Sequence, residues 1–454
     1  MIYKRTYFIA IVLLMSGLCC ALAQKNNTVR KKVSVQEVDI RKFGAVGDSV
    51  TINTKAVQKA IDYCAQKGGG AVLIAGGVYS SGAIFLKSNV ELKITKGAKL
   101  RGVAGLEHYP VLKNTRVAGI EMDWPSAFIN AINADNVHIS GEGTIDGSGY
   151  YWWQDYWIKR DSLKRTVLPD LIDWYVPRPR LILFDKVSNA GISGLKLMNS
   201  GFWTVHICYS KSIELLDLNI YNPVLDEGKK AASTDGIDLD SSRDILVRNC
   251  TISVDDDCIA VKSGRGSDGL RINIPTENVV IEDCLFQKGH GGVSMGTETA
   301  GGVRNILIRN CRADGNNAAI KFKPRPGRGG VIENITHEGW DIRNGDVAID
   351  YALRKVTGED YIDEWQKIKV PFENATPKYR NITIRNVTAA NMKKAITFLG
   401  WPLAHAENIV LQDVSIQAQE AGSFEYVDNL LLKNVNVESK GKALEFFNVV
   451  NLKR

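Results

Sequence analysis

Apolar and polar residues alternate in a short unit that returns along much of the chain. Its form is Asn/Asp–apolar–apolar or Thr–apolar–x–Asn/Asp–small or apolar. RDILVRNC ends at Cys250, ENVVIEDC at Cys284, RNILIRNC at Cys311, RNITIRNV at Val387, ENIVLQDV at Val414 and DNLLLKNV at Val435. A period of two predicts half-buried strands. A unit this short cannot bury its own apolar face, so successive units must stack around a shared core. The helical period of 3.6 is absent from these units, which disfavours leucine-rich and helical repeats. A parallel β-helix fits best.

The units start on Asp244, Asn278, Asn305, Asn334, Asn381, Asn408 and Asn429. Most intervals are roughly 20–35 residues, the usual span of a stacked repeat, with a longer gap before Asn381. An Asn can bond its own backbone at a bend and tolerates left-handed φ, so bends are expected at these positions. That role also accounts for the glycosylation-like triplets Asn334-Ile335-Thr336 and Asn381-Ile382-Thr383 without a glycan.

The start of the domain reads differently. Val57, Ala60, Ile61 and Cys64 fall at helical spacing and predict a short amphipathic helix. Asn53 or Thr54 is the expected N-cap and Gly68-Gly69-Gly70 the stop. Strands follow at Ala71–Leu73 and around Ala83–Leu86. The helix would close the open end of a solenoid, where edges and core are otherwise exposed. Residues 148–177 interrupt the repeat with Tyr150, Tyr151, Trp152, Trp153, Tyr156, Trp157, Trp174 and Tyr175. They read either as a satellite core under a long loop or as the wall of a sugar cleft.

Composition adds a compartment. The 454 residues include 41 Gly and 12 Pro, which suits many strands and tight turns. Lys4 and Arg5, the apolar run Tyr7 to Leu18 and Ala21-Leu22-Ala23 predict a signal peptide over 1–23, cleaved after Ala23. The mature domain would be 24–454, secreted or periplasmic. A lipoprotein reading of Cys19 or Cys20 fits less well, because no small residue precedes either cysteine. No other segment is apolar for long enough to span a membrane. The net charge of +7 is spread among acidic residues, which argues against a nucleic-acid footprint and permits an acidic polymer as partner. Cys250, Cys284 and Cys311 occupy one point of the unit and are expected to stack in the core as free thiols. A bridge from Cys258 to a neighbour is left open.

The densest chemistry runs from Ser233 to Lys321: Ser233-Thr234-Asp235-Gly236, Asp255-Asp256-Asp257-Cys258, Gly289-His290-Gly291 and Ala319-Ile320-Lys321. The steps from Asp235 to Asp256, Asp257 to His290 and His290 to Lys321 are 21, 33 and 31 positions, each about one solenoid turn. Neighbouring turns lie about 4.8 Å apart, so three carboxylates, an imidazole and an ammonium can converge on one face. Glycoside hydrolysis needs one carboxylic acid for the leaving oxygen and a second carboxylate for water or the anomeric carbon. Crowded carboxylates push one another's pKa apart, so one can stay protonated while others ionise. A calcium-binding acidic ladder is the competing reading, and the His and Lys argue against it.

In this order the four motifs resemble those of the polygalacturonase family, glycoside hydrolase family 28, whose pattern is Asn-Thr-Asp, Asp-Asp, Gly-His-Gly and Arg-Ile-Lys. The segment Phe43–Asp62 is similar to the family's N-terminal segment, and the likeness covers nearly all of the mature chain. The resemblance implies an all-β, single-stranded right-handed parallel β-helix. It implies hydrolysis of α-galacturonosyl linkages with inversion, on an acidic plant cell-wall polysaccharide such as homogalacturonan or rhamnogalacturonan, without cofactor or metal. It assigns Asp256 as general acid, Asp235 and Asp257 as the carboxylates that handle the attacking water, His290 as the group that tunes the acid, and Lys321 as a galacturonate ligand. A monomer is expected.

Two positions depart from the pattern. Ser233 stands in place of Asn and can still hydrogen-bond. Ala319 stands in place of Arg, which removes a bidentate carboxylate partner. Lys323, Arg325 and Arg328 are the nearby cations that would replace it; otherwise a neutral sugar such as rhamnose occupies that subsite. A rhamnogalacturonan galacturonohydrolase is therefore the alternative, ahead of a pectate lyase or a non-catalytic glycan-binding solenoid. Exo action is expected, from the aromatic insertion closing one end of a cleft.

Overall fold

The computed structural model describes residues 36–166, 172–223, 230–325, 327–353, 360–363, 368–371, 374 and 376–454. The expected signal peptide, with Cys19 and Cys20, lies outside the described residues. From Glu37 the chain winds as a right-handed parallel β-helix whose strands pair with the turn before and the turn after. Right-handed connection between parallel strands is the steric default.

One sheet runs through Ile129–Ile132, Ile182–Asp185, Val205–Cys208, Ile237–Asp240, Asp257–Lys262 and the later halves of Leu285–Met295 and Arg312–Phe322. Its register stacks Val205, Ile237, Ile259, Val293, Ile320 and Ile349 in a single aliphatic column. This register sends the alternate residues, among them Asp238, Ser294 and Lys321, to the opposite, outer face, while Asp235 and Asp257 stand where their strands begin. A second sheet is built from the repeat units, among them Arg243–Arg248, Thr276–Glu282 and Val303–Arg309.

The bends take the conformation expected of Asn. Asp244, Asn278, Asn305, Asn334, Asn381, Asn408 and Asn429 all have φ between 56° and 59°. Each Asn side chain then donates to the preceding one: Asn278 Nδ2 to Asp244 Oδ1 at 3.0 Å, Asn305 to Asn278 at 3.2 Å, Asn334 to Asn305 at 3.2 Å. The spine goes on through Asn381, Asn408, Asn429 and Asn451, each at 3.0 Å from its predecessor. A bond of this kind contributes about 0.5–1.5 kcal/mol net, and repetition makes it a register clamp.

The six described cysteines are buried and free. Cys250, Cys284 and Cys311 stack, each thiol within 3.3–3.4 Å of the carbonyl oxygen two residues earlier. Cys258 makes no bridge; its Sγ lies 3.1 Å from the Lys288 carbonyl oxygen.

The N-terminal helix spans Thr54–Gln66 and buries Ala56, Val57, Ala60, Ile61 and Cys64 in the solenoid core. The expected side-chain cap does not form. Asn53 Oδ1 instead accepts from Val46 N–H at 2.7 Å, and Thr54 Oγ1 accepts from Gly82 N–H at 2.7 Å, because nearby loops offer competing donors. Strands follow at Gly70–Ile74 and Ile84–Leu86.

The aromatic insertion forms a helix over Gly149–Leu163 and a short turn over Ile172–Tyr175. Trp152, Trp153, Tyr156 and Trp174 are buried, while Tyr150, Tyr151 and Tyr175 face solvent. Trp174 packs with Trp124, Phe202 and Trp203, and Tyr156 with Ile172 and Val176, as satellite core, while Trp152 joins the main solenoid core. An antiparallel hairpin, Val111–Val117 with Ile120–Pro125, stands beside them. No sequence motif marks it.

Candidate active site

Asp235 precedes the strand Ile237–Asp240, and Asp257 opens the next turn's strand, Asp257–Lys262. His290 lies on Leu285–Met295 and Lys321 on Arg312–Phe322, with Asp257 paired to Gly291 and Lys321 to Ser294. The stacking brings the three carboxylates together: Asp235, Asp256 and Asp257 each place an oxygen within 4.8 Å of the others. The Asp257 N–H donates to Asp235 Oδ1 at 3.1 Å and to Asp256 Oδ1 at 3.0 Å. His290 Nδ1 sits 3.2 Å from Asp256 Oδ1. Lys321 Nζ donates to the His290 carbonyl at 2.9 Å and lies 3.6 Å from Asp257 Oδ1. Ser294 Oγ donates to Asp257 Oδ1 at 2.8 Å, and Lys323 pairs with Asp257 Oδ2.

The glycines around His290 have a steric reason. A Cβ at Gly291 would lie 2.0 Å from Ser294 Oγ and 2.9 Å from Asp257 Oδ1. Gly289 has φ +133°, and a Cβ there would lie 2.8 Å from the Asp256 carbonyl oxygen. Only glycine lets this strand pass so close to the carboxylates.

Access separates the three acids. The Asp256 side chain is 25% exposed, Asp235 5% and Asp257 0%. Charge separates them too. Burial raises Asp235, and the negative charges of Asp256 and Asp238 add to it, so its carboxyl titrates well above the usual range. Burial also opposes ionisation of Asp256, but the His290 hydrogen bond and the charge of Lys323 outweigh it and hold this carboxyl low. Asp257 is buried yet held below its ordinary value by Lys323 and Lys321.

Further groups complete the site, and no sequence motif marks them. Lys262 ends the strand that Asp257 begins. Its ammonium lies 3.2 Å from Asp238 Oδ1, 3.6 Å from Glu298 Oε2 and 3.7 Å from Asp235 Oδ2, over the Trp203 ring at 4.2 Å. Asp173, from the aromatic insertion, accepts from Ser233 Oγ at 3.0 Å and pairs with buried Arg178.

The cations proposed to replace the motif arginine are placed unequally. Ala319 is buried in the solenoid core. Lys323 serves Asp257. Arg328 is buried, with Nη1 3.4 Å from Glu298 Oε1. Arg325 is exposed, and its carbonyl accepts from Arg328 N–H at 3.0 Å. Three close carboxylates have the donor chemistry of a divalent cation site, but Lys262, Lys321 and Lys323 already supply positive charge against them.

The family model for glycosyl hydrolases family 28 matches residues 64–439. The chain belongs to this family. It is a glycoside hydrolase acting on O-glycosyl bonds. A probable polygalacturonase of Vitis vinifera is 30% identical over 385 residues, covering 82% of this chain and 73% of the relative. An exo-poly-alpha-D-galacturonosidase of Dickeya chrysanthemi is 26% identical, over 79% of this chain and 64% of its own length. Among solved structures, a hyperthermoactive exopolygalacturonase from Thermotoga maritima superposes with a TM-score of 0.75 at 27% identity, over 89% of this chain and 92% of that one.

Proposed function

We propose that this family 28 enzyme hydrolyses α-galacturonosyl linkages of a pectic polysaccharide from a chain end, with inversion. The observation that carries the reading is the graded access of one carboxylate trio: Asp256 open and bonded to His290, Asp235 and Asp257 beneath it. Asp256 donates its proton to the glycosidic oxygen as the C–O bond breaks. Asp235 and Asp257 take the proton of a water whose oxygen bonds to the anomeric carbon. The proton then returns to Asp256 for the next cycle.

Asp235 and Asp256 hold one proton between them, as close carboxylates do. The productive form has it on Asp256. His290 orients this acid, and Lys321 faces the substrate carboxylate, with Arg325 and Arg328 as further candidate substrate ligands. The names of the Vitis, Dickeya and Thermotoga relatives support galacturonan as substrate class.

Exo action is supported by a bridge across the earlier turns of the site face. Hairpin residue Arg116 pairs with Asp240 at 3.0 Å, both fully buried. The far side of the hairpin meets the helix Gly266–Ile272: Arg265 N–H donates to the Gly119 carbonyl at 2.9 Å, and Arg271 pairs with Glu121 at 3.0 Å. A second reading, a rhamnogalacturonan galacturonohydrolase, is favoured by Ala319 in the core and by Arg328 paired with Glu298. In both readings residues 24–454 act as one catalytic β-helix, exported behind the leader 1–23 and working as a monomer.

Product analysis on homogalacturonan and rhamnogalacturonan in parallel tests the proposal. Release of saturated monogalacturonate from homogalacturonan is expected. Faster release from rhamnogalacturonan selects the second reading. An unsaturated uronide, or loss of activity with a calcium chelator, would overturn both in favour of a lyase.

A further inference from the structure

Lys262 is the one buried ammonium of the site to which the mechanism above gives no task. Its side chain is 6% exposed, so its charge must be met inside the protein. It is met threefold, by Asp238, Glu298 and Asp235, with the Trp203 face as a fourth contact. Glu298 is shared with Arg328, which leaves Lys262 charge available to the other two. Farther out, Asp173, Asp256, Asp257, Lys323 and His206 also act on this neighbourhood. With these partners in contact, the ammonium needs no substrate carboxylate to balance its charge.

Of the two carboxylates that share a proton, Asp235 has its Oδ2 3.7 Å from the Lys262 ammonium, whereas Asp256 Oδ1 is bonded by His290. A positive charge beside Asp235 favours its anion. We infer that Lys262 is a positioning residue that drives the shared proton from Asp235 onto Asp256, so that the open acid is loaded and the buried base is free. The inference rests on the roles proposed above for Asp235 and Asp256. Lys262 works here against burial, which with its neighbours raises Asp235, and against the His290 bond, which holds Asp256 low; its pull is visible on its other two anions. Burial and its neighbours raise Asp238 to about 8 against the pull of Lys262, and Glu298 is held at about 2 despite burial, by Lys262 first and Arg328 second.

The test is the pH profile of kcat/KM on a galacturonide substrate. Lys262→Met removes the charge and keeps the length. Both limbs should move up by about one pH unit or more, and the plateau should fall at least tenfold, mostly in kcat. Glu298→Gln removes a competing anion and should move the profile down. Lys262→Arg keeps the charge and should leave the limbs in place. If Lys262→Met raises KM without moving the limbs, Lys262 is a substrate ligand and the inference is overturned. If it does not fold, the opposite shift of Glu298→Gln and the unmoved limbs of Lys262→Arg still decide, and a Glu298→Gln profile that stays put overturns it. Asp235→Asn is the control for the underlying reading. An active Asp235→Asn enzyme sinks the proposed roles themselves. An inactive one with unmoved Lys262→Met limbs sinks only the inference about Lys262.

Discussion

Asp235 and Asp256 accept hydrogen bonds from one and the same donor, the backbone N–H of Asp257, at 3.1 and 3.0 Å. They sit on adjacent turns of the solenoid, so main-chain geometry rather than side-chain preference sets their distance. A shared donor holds two like charges close and makes a common proton the cheapest neutralisation.

Asp256→Asn keeps the shape of the acid and removes its proton. Turnover should fall by about 10²–10⁴-fold, with the far-ultraviolet circular dichroism of the wild type retained. A variant of undiminished turnover would remove Asp256 from the role of general acid.

Inversion should be visible directly. The first product seen by proton NMR, before mutarotation, should carry the β configuration. The nearest oxygens of the three acids lie within 4.8 Å, closer than the roughly 6.5–9.5 Å usual for inverting carboxyl pairs. A first product in the α configuration would show that this short separation operates in the retaining manner.

The Arg116–Asp240 pair should govern stability. Asp240→Asn leaves a buried guanidinium without its anion, and urea unfolding should show a loss of about 3–5 kcal/mol. Burial raises the Asp240 carboxyl, but Arg116 outweighs it and holds the group at about 2. A carboxyl depressed by folding stabilises fully above its unfolded value of about 3.9 and loses that contribution as pH falls through about 2. The deficit of Asp240→Asn should therefore shrink as the pH is lowered from 5 towards 2.

The hairpin should control product size. Replacing residues 113–123 with a short Gly-Ser link opens the earlier turns of the site face. Oligogalacturonides should then appear beside the monomer in time courses on homogalacturonan. A product pattern still confined to monomer would place the chain-end preference elsewhere, with the aromatic insertion next to be tested.

The elements legible in the sequence were those set by local rules. Period-two alternation marked the strands, and left-handed bends at Asn278 through Asn429 followed from Asn turn chemistry. Asp235, Asp256, Asp257, His290 and Lys321 were marked by turn-length spacing and by the family motifs, and the stacking brings them together. Arg116 and Asp240 stayed hidden because they are 124 positions apart and each looks like an ordinary surface charge. Lys262 was hidden because its anions come from other turns: Asp235 and Asp238 from the turn before and Glu298 from the turn after. The Asn53 cap failed where a loop seven residues back offered a better-placed donor.

The asparagine spine has a consequence for how such a protein can change. Asn429 bonds its predecessor across 21 positions and Asn381 across 47, with the same 3.0 Å contact. The clamp is indifferent to the amount of chain looped out between rungs. Loops between rungs can therefore differ widely in length while the strands on either side stay in register.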